Sequence, residues 1–176
     1  DKYDFYYEHI VLWDEKALEI VGSYRVAQSE KVIDERDHSA LYTATLFNYK
    51  ENFNNYLYDG LELGRSFIQP KYWNSRALDY LWQGIGAYLR KNKNIRYLFG
   101  PVSISQSYSD EAVSLLVYFY SHYFKGGEEN VMHPQPYVIS EERLARYETL
   151  FARDDYNQDL VRLKHELQLY GYAIPT

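Results

Sequence analysis

One stretch limits the fold more than any other. Leu61 to Gln69 (LELGRSFIQ) reads as a β-strand, and Pro70 ends it because proline cannot donate to a sheet ladder. A polar turn follows, Lys71 to Arg76. Leu78, Leu81, Trp82, Ile85, Tyr88 and Leu89 then recur at helical spacing as a single apolar stripe. Lys91 to Asn94 closes that helix with the positive charge a helix C-terminus favours. Tyr97 to Ser105 (YLFGPVSIS) supplies a second, mostly apolar strand. A strand–helix–strand order makes the two strands parallel and the crossover right-handed. The chain must therefore build a sheet with a helix packed on it.

The flanking segments fill in the rest. His9 to Trp13 and Ala17 to Val26 read as a hairpin turning at Asp14-Glu15-Lys16. Gln28 to Ser39 is a loop or short helix, Leu41 to Phe47 a third strand, and Asn48 to Gly60 irregular. Tyr97 to Ser105 fits a strand buried on both faces, interrupted at Gly100-Pro101. Ser109, Asp110 and Glu111 start a helix that runs to Phe124 and ends at Gly126-Gly127. His133 to Pro136 is an extended linker, and helices from Glu141 to Phe151 and Asn157 to Tyr170 follow. The expected class is mixed α/β (α+β): one domain over residues 1–176, with a mixed central sheet flanked by helices.

Composition removes several classes of function. With 46% hydrophobic residues the chain is not disordered, and without cysteine it has no disulfide, thiolate metal site or cysteine nucleophile. Nineteen basic against 25 acidic residues give a net charge of −6, which argues against a nucleic-acid partner. No apolar run reaches the length of a membrane span. The five histidines show no metal-ligand spacing, and no Gly-x-Ser-x-Gly turn is present. Twenty-one tyrosines are too many for a dry core, because each hydroxyl needs a partner, so some are expected to line grooves or interfaces. The chain begins at Asp1 and its one methionine is Met132, so it reads as a domain cut from a longer polypeptide.

Alternation along Leu61 to Phe67 places Glu62, Gly64 and Ser66 on one face, and Leu61, Leu63, Arg65 and Phe67 on the other. A glutamate in such an apolar strand must be paired or hydrogen-bonded. Two readings stand: burial tunes Glu62 into a general base, or Glu62 forms a structural ion pair with Arg65 or Arg25. The turn after Pro70 leads into a helix N-terminus, which offers free N–H groups to a phosphate, with Lys71 and Arg76 adding charge.

Val21 to Arg25 (VGSYR), LELGRSF, the QPKYW turn, the LDYLWQGIGAYL helix and YLFGPVSIS occur in an order that resembles the GNAT-like N-acyltransferases of the ornithine-lipid synthase and hemolysin-like type. That group is similar to the acyl-homoserine-lactone synthases. The likeness covers roughly residues 3 to 124 and the LYGYAIPT end. It implies transfer of a fatty acyl group, often 3-hydroxylated, from a thioester on acyl carrier protein or coenzyme A to the α-amine of a small amino acid. The tyrosine-rich form is similar to proteins for which glycine is the acceptor. No tightly bound cofactor is implied. The strands Leu61–Gln69 and Tyr97–Ser105 would splay to admit phosphopantetheine. Carried over by position, Glu62 is the base or amine-orienting carboxylate, Arg65 and Arg25 fix that carboxylate or the substrate's, and His9 follows Glu8 in an acidic–histidine pair. Phe67, Ile68 and Gln69 would meet the pantetheine arm, with N–H groups near Phe67 and Ile68 stabilising an oxyanion. Lys71, Asn74, Ser75, Arg76 and Ala77 would meet its phosphate.

The chain departs from the family in its turn Tyr72 to Ala77, which lacks the usual glycines and suits a carrier-protein donor better than coenzyme A. Strands expected after YGYAIPT are missing. The resemblance also implies a cytoplasmic location with peripheral contact at the inner membrane. Two rival readings are a tyrosine-lined binding module without catalysis and an acetyltransferase of small amines.

Overall fold

The structure, a computed structural model, describes residues 1–125 and 131–174. They fall into two compact units, each described by itself. The first comprises Asp1–Pro101 and a short strand near residue 131. A single 3-10 turn, Lys2–Phe5, precedes β1 (Glu8–Asp14) and β2 (Glu19–Gln28), the predicted hairpin. Asp14 closes its turn by accepting the N–H groups of Lys16 and Ala17, each at 2.9 Å. Next come α1 (Ser29–Glu35), β3 (Asn48–Tyr49), α2 (Asn54–Leu57), β4 (Gly60–Ile68), α3 (Ala77–Lys91) and β5 (Tyr97–Phe99). The sheet order is β1-β2-β4-β5, antiparallel at the first two junctions and parallel at β4–β5, as the strand–helix–strand reading requires.

Of the predicted apolar stripe of α3, Leu81 and Ile85 are buried, with Ala77 beside them, while Leu78 and Trp82 are exposed. Gly84 allows this helix to lie close to β1, since a Cβ there would come within 2.8 Å of Ile10. Two expectations fail here. Leu41 to Phe47 is not a strand: it contains the 3-10 turn Thr43–Thr45, just after another at His38–Ala40. The N–H groups of Tyr42 and Thr43 are taken by the Glu62 carboxylate, so they are unavailable to a ladder. Second, β5 stops at Phe99 and leaves Tyr97 and Leu98 exposed, instead of running buried to Ser105. Gly100 passes so near Leu63 that a Cβ would strike its carbonyl oxygen, and Pro101 then has no N–H to continue pairing.

The second unit begins at Val102 and is helical: α4 (Asp110–Phe124), α5 (Glu141–Leu150) and α6 (Tyr156–Leu169). Leu115, Leu116 and Phe119 of α4 meet Tyr147 and Phe151 and the α6 residues Leu163 and Leu167 in one core. Ser109, Ser140 and Asp155 cap the three helices, as their positions before apolar periodic runs suggest. The helix stop at Gly126-Gly127 and the final Pro175-Thr176 lie outside the described residues. A sixth strand, β6 (Val131–Met132), pairs with β3 and belongs to the first unit.

Candidate active site

Register brings the sequence candidates together. His9 pairs with Arg25, and Arg25 with Gly64, so the three share a row across one face of β1, β2 and β4. Glu62 pairs with Ala27 two residues along and shares that face. Between the pairs Arg25–Gly64 and Ser23–Phe67, β4 contains one residue more than β2, and Arg65 there has φ +48°. This is a β-bulge, and one extra residue exchanges the faces beyond it. Phe67 therefore comes to the side of Arg25 and Ser23, against the simple alternation predicted for the strand. A lone glycine in a strand marks bulges, so Gly64 was the signal that could have revealed it.

A cavity of about 220 Å³ opens on this face. Asp1 and Asp4 of the N-terminal turn, His9 of β1, Ser23 and Arg25 of β2, and Arg65 and Phe67 of β4 line it. Arg25 is 2% exposed, and its guanidinium lies over the rings of Tyr3, Tyr7 and Tyr42 at 5.0, 5.1 and 5.6 Å. Its Nη1 donates to Asp1 at 2.9 Å and to Asp4 at 3.3 Å, while its buried Nε has no acceptor among the described residues. Arg65 is exposed and donates through Nη2 to the same Asp1 oxygen at 2.8 Å. One carboxylate thus bridges two guanidinium groups.

Glu62 pairs with neither arginine, which overturns the ion-pair reading. It is 1% exposed and does not line the cavity. Its Oε1 accepts the Thr43 N–H at 2.6 Å, and its Oε2 accepts the Tyr7 hydroxyl and, at 3.2 Å, the Tyr42 N–H. The Tyr42 N–H also reaches the Tyr7 oxygen at 2.9 Å. Burial, and next the Glu62 charge, raise Tyr7 far above the ordinary tyrosine range. The acid beside His9 is likewise different from the one predicted. Glu8 accepts from Tyr88 of α3 at 2.7 Å, and His9 Nε2 lies 3.5 Å from Asp4 instead. The aromatic DKYDFYY start was visible in the sequence, but nothing in it assigned Asp4 or Tyr7 to a site.

The other candidates cluster where β4 leaves the sheet. β5 pairs with β4 only from Gly60 to Glu62, so Leu63 to Ile68 have no partner on that edge among the described strands. The Ile68 carbonyl accepts from the Trp73 indole at 3.0 Å, and Gln69 stays tied to β2 through the Val21 carbonyl at 2.9 Å. Lys71 pairs with Glu19, and Arg76 lies 3.5 Å from Asp79. Asn74 has φ +62°, and Ser75 Oγ accepts the Ala77 N–H at 3.2 Å. Among the described residues no group of three or more acidic or histidine side chains could hold a metal, and no helix is long and apolar enough to cross a membrane.

This combination of a bulged central strand, a strand–helix–strand unit and an edge opening beside the bulge agrees with the GNAT-like fold expected from the sequence. Residues 1–83, just under half of the chain, match the family described as acetyltransferase (GNAT) domain. It is 34% identical to a glycine N(alpha)-acyltransferase of Phocaeicola vulgatus over 99% of this chain and 57% of that protein. The same name and identity hold for a protein of Bacteroides thetaiotaomicron, over 99% of this chain and 55% of the relative. An L-ornithine N(alpha)-acyltransferase of Brucella abortus is 29% identical over 58% of this chain and 37% of its own length. The chain thus spans just over half the length of the two glycine acyltransferases. No solved structure matches.

Proposed function

We propose that the chain is the acceptor-binding and donor-admitting part of an N-acyltransferase that joins a fatty acyl group, 3-hydroxylated in the simplest case, to the α-amine of a small amino acid, glycine foremost. One observation carries this reading: Arg25 and Arg65 together grip a carboxylate inside a small cavity. The Asp1 side chain stands there in place of the α-carboxylate of an amino acid. Charge-assisted bonds from two guanidinium groups suit that ligand, and the unsatisfied Nε of Arg25 offers it one further donor. The names of the glycine and ornithine acyltransferases support the same acceptor class. Both compact units lie within the aligned stretch, which supports reading residues 1–176 as one acyltransferase domain.

The donor enters along the open edge of β4, where backbone at Phe67 and Ile68 meets the pantetheine arm and an N–H stabilises the oxyanion. Its phosphate approaches Lys71, Asn74, Ser75, Arg76 and Ala77. Lys71 and Arg76 already have carboxylate partners, so little free charge remains for a pyrophosphate. That favours acyl carrier protein, whose arm carries one phosphate, over coenzyme A. The product is a lipid, and its release calls for peripheral contact with a membrane from the cytoplasmic side. At the cavity itself the tyrosines form no open binding face: Tyr3 and Tyr7 are buried around Arg25.

The test is the full-length protein with 3-hydroxyacyl carrier protein, the matching coenzyme A thioester and a panel of amino acids, with products read by mass spectrometry. An N-acylated glycine or similar small amino acid, formed faster from the carrier protein, is expected. Absence of any N-acyl amino acid would overturn the proposal. Arg65→Ala should raise KM for the acceptor about tenfold or more, the worth of one charge-assisted bond, with a smaller change in kcat.

A further inference from the structure

Acyl transfer to an amino acid needs a proton acceptor, because the α-ammonium cannot attack a carbonyl until it loses a proton. Glu62, the acid expected for this task, is badly placed. Three donors occupy its oxygens, it is buried, and it does not line the cavity. A general base must come within hydrogen-bond reach of the proton that it takes. Asp4 reaches the cavity, but its carboxylate pairs with the Arg25 guanidinium at 3.3 Å, which makes it a poor acceptor. His9 has neither defect. It lines the cavity in the same cross-strand row as Arg25, its side chain is 40% exposed, and its Nε2 faces Asp4.

We propose that His9, which stands beside Asp4 in the cavity, is the proton acceptor that converts the bound acceptor's α-ammonium into the attacking amine. His9 Nε2 lies 3.5 Å from the Asp4 carboxylate, and a neutral imidazole has one ring nitrogen free to take the proton. The ammonium gives one proton to His9. The amine nitrogen then forms a bond to the thioester carbonyl carbon, and the carbonyl π pair moves onto oxygen. When that pair returns, the C–S bond breaks and the thiolate leaves with it. The thiolate takes the second proton from the former amine nitrogen, so the products are an amide and a thiol, and His9 later returns its proton to water. The charged groups around His9 are Asp1 and Asp4 from the N-terminal turn, Arg25 from β2 and Arg65 from β4. Glu8, its neighbour in sequence, is engaged with Tyr88.

This inference rests on the acyltransferase reading, and one experiment separates the two. The full-length wild type, His9→Gln and His9→Ala are assayed for acyl transfer to glycine across pH 6 to 9.5. For His9→Gln, kcat/KM should fall about 10²–10⁴-fold at neutral pH. The deficit should shrink steadily as pH rises, because free amine becomes available without a base. Added imidazole should restore part of the His9→Ala activity. His9 is half-exposed, so both variants should fold, and matching circular dichroism would establish this. An active wild type with His9→Gln within tenfold of it, and with the same pH profile, would overturn the inference alone. A wild type inactive toward every amino acid would instead overturn the function from which it starts.

Discussion

Glu62 shows how a buried carboxyl group can be satisfied without an ion pair. Two backbone N–H groups and one phenol donate to its carboxyl oxygens, so the cost of burial is offset by hydrogen bonds. The same bonds pin the turn at Tyr42 and Thr43 to β4 and hold Tyr7 and Tyr42 against Arg25. Glu62 is therefore a positioning residue for the guanidinium that lines the cavity. Glu62→Gln tests this. The amide keeps one acceptor oxygen, but its NH₂ group must face donors at the other position. A buried donor left unsatisfied costs about 1–3 kcal/mol. The expected result is a loss of that size in urea unfolding, and a rise in the acceptor KM that exceeds the fall in kcat. A variant as stable as wild type but with kcat reduced a hundredfold would return Glu62 to the role of base.

Much of the sheet could be read from residue patterns. The β1–β2 hairpin, the Pro70 stop and the α3 stripe are local signals, and each element formed where its signal lay. Leu41 to Phe47 had a strand's composition, yet its N–H groups went to a side chain distant in sequence, and no local pattern encodes that. The cavity was half legible for the same reason. His9, Arg25 and Arg65 were named from their strands, but their meeting depends on the bulge, and Asp4 reaches them only through the N-terminal turn. The bulge makes its own prediction. A non-glycine residue at φ +48° is strained, and glycine adopts that conformation without the cost. Arg65→Gly should therefore leave the urea midpoint unchanged or slightly raised while it weakens acceptor binding. A stability loss above about 1 kcal/mol would mean that the Arg65–Asp1 contact holds the bulge in place, since an exposed pair is ordinarily worth less than that.

Several of the 21 tyrosines combine a ring that fills space with a hydroxyl that reaches a polar group. Tyr7 holds Glu62, Tyr88 ties α3 to Glu8 of β1, and Tyr49 meets Thr43 at 2.5 Å. This use of tyrosine has a consequence at high pH. Burial, with the Glu8 hydrogen bond next, pushes Tyr88 up to about 12. Burial also pushes Tyr49 up to about 12, with the Thr43 hydrogen bond acting against it. Tyr7 is raised further, by burial and by Glu62. In the unfolded chain these phenols ionise near pH 10. Between about pH 10 and 12 the unfolded state therefore binds fewer protons than the folded state, and stability falls as pH rises. Below pH 10 the contribution is intact. Absorbance at 295 nm should show an early phase from exposed tyrosines, then a second phase that coincides with loss of the far-ultraviolet circular dichroism. Ionisation of every tyrosine in one step near pH 10, with the dichroism unchanged, would show that Tyr7, Tyr49 and Tyr88 are not held in the sites described.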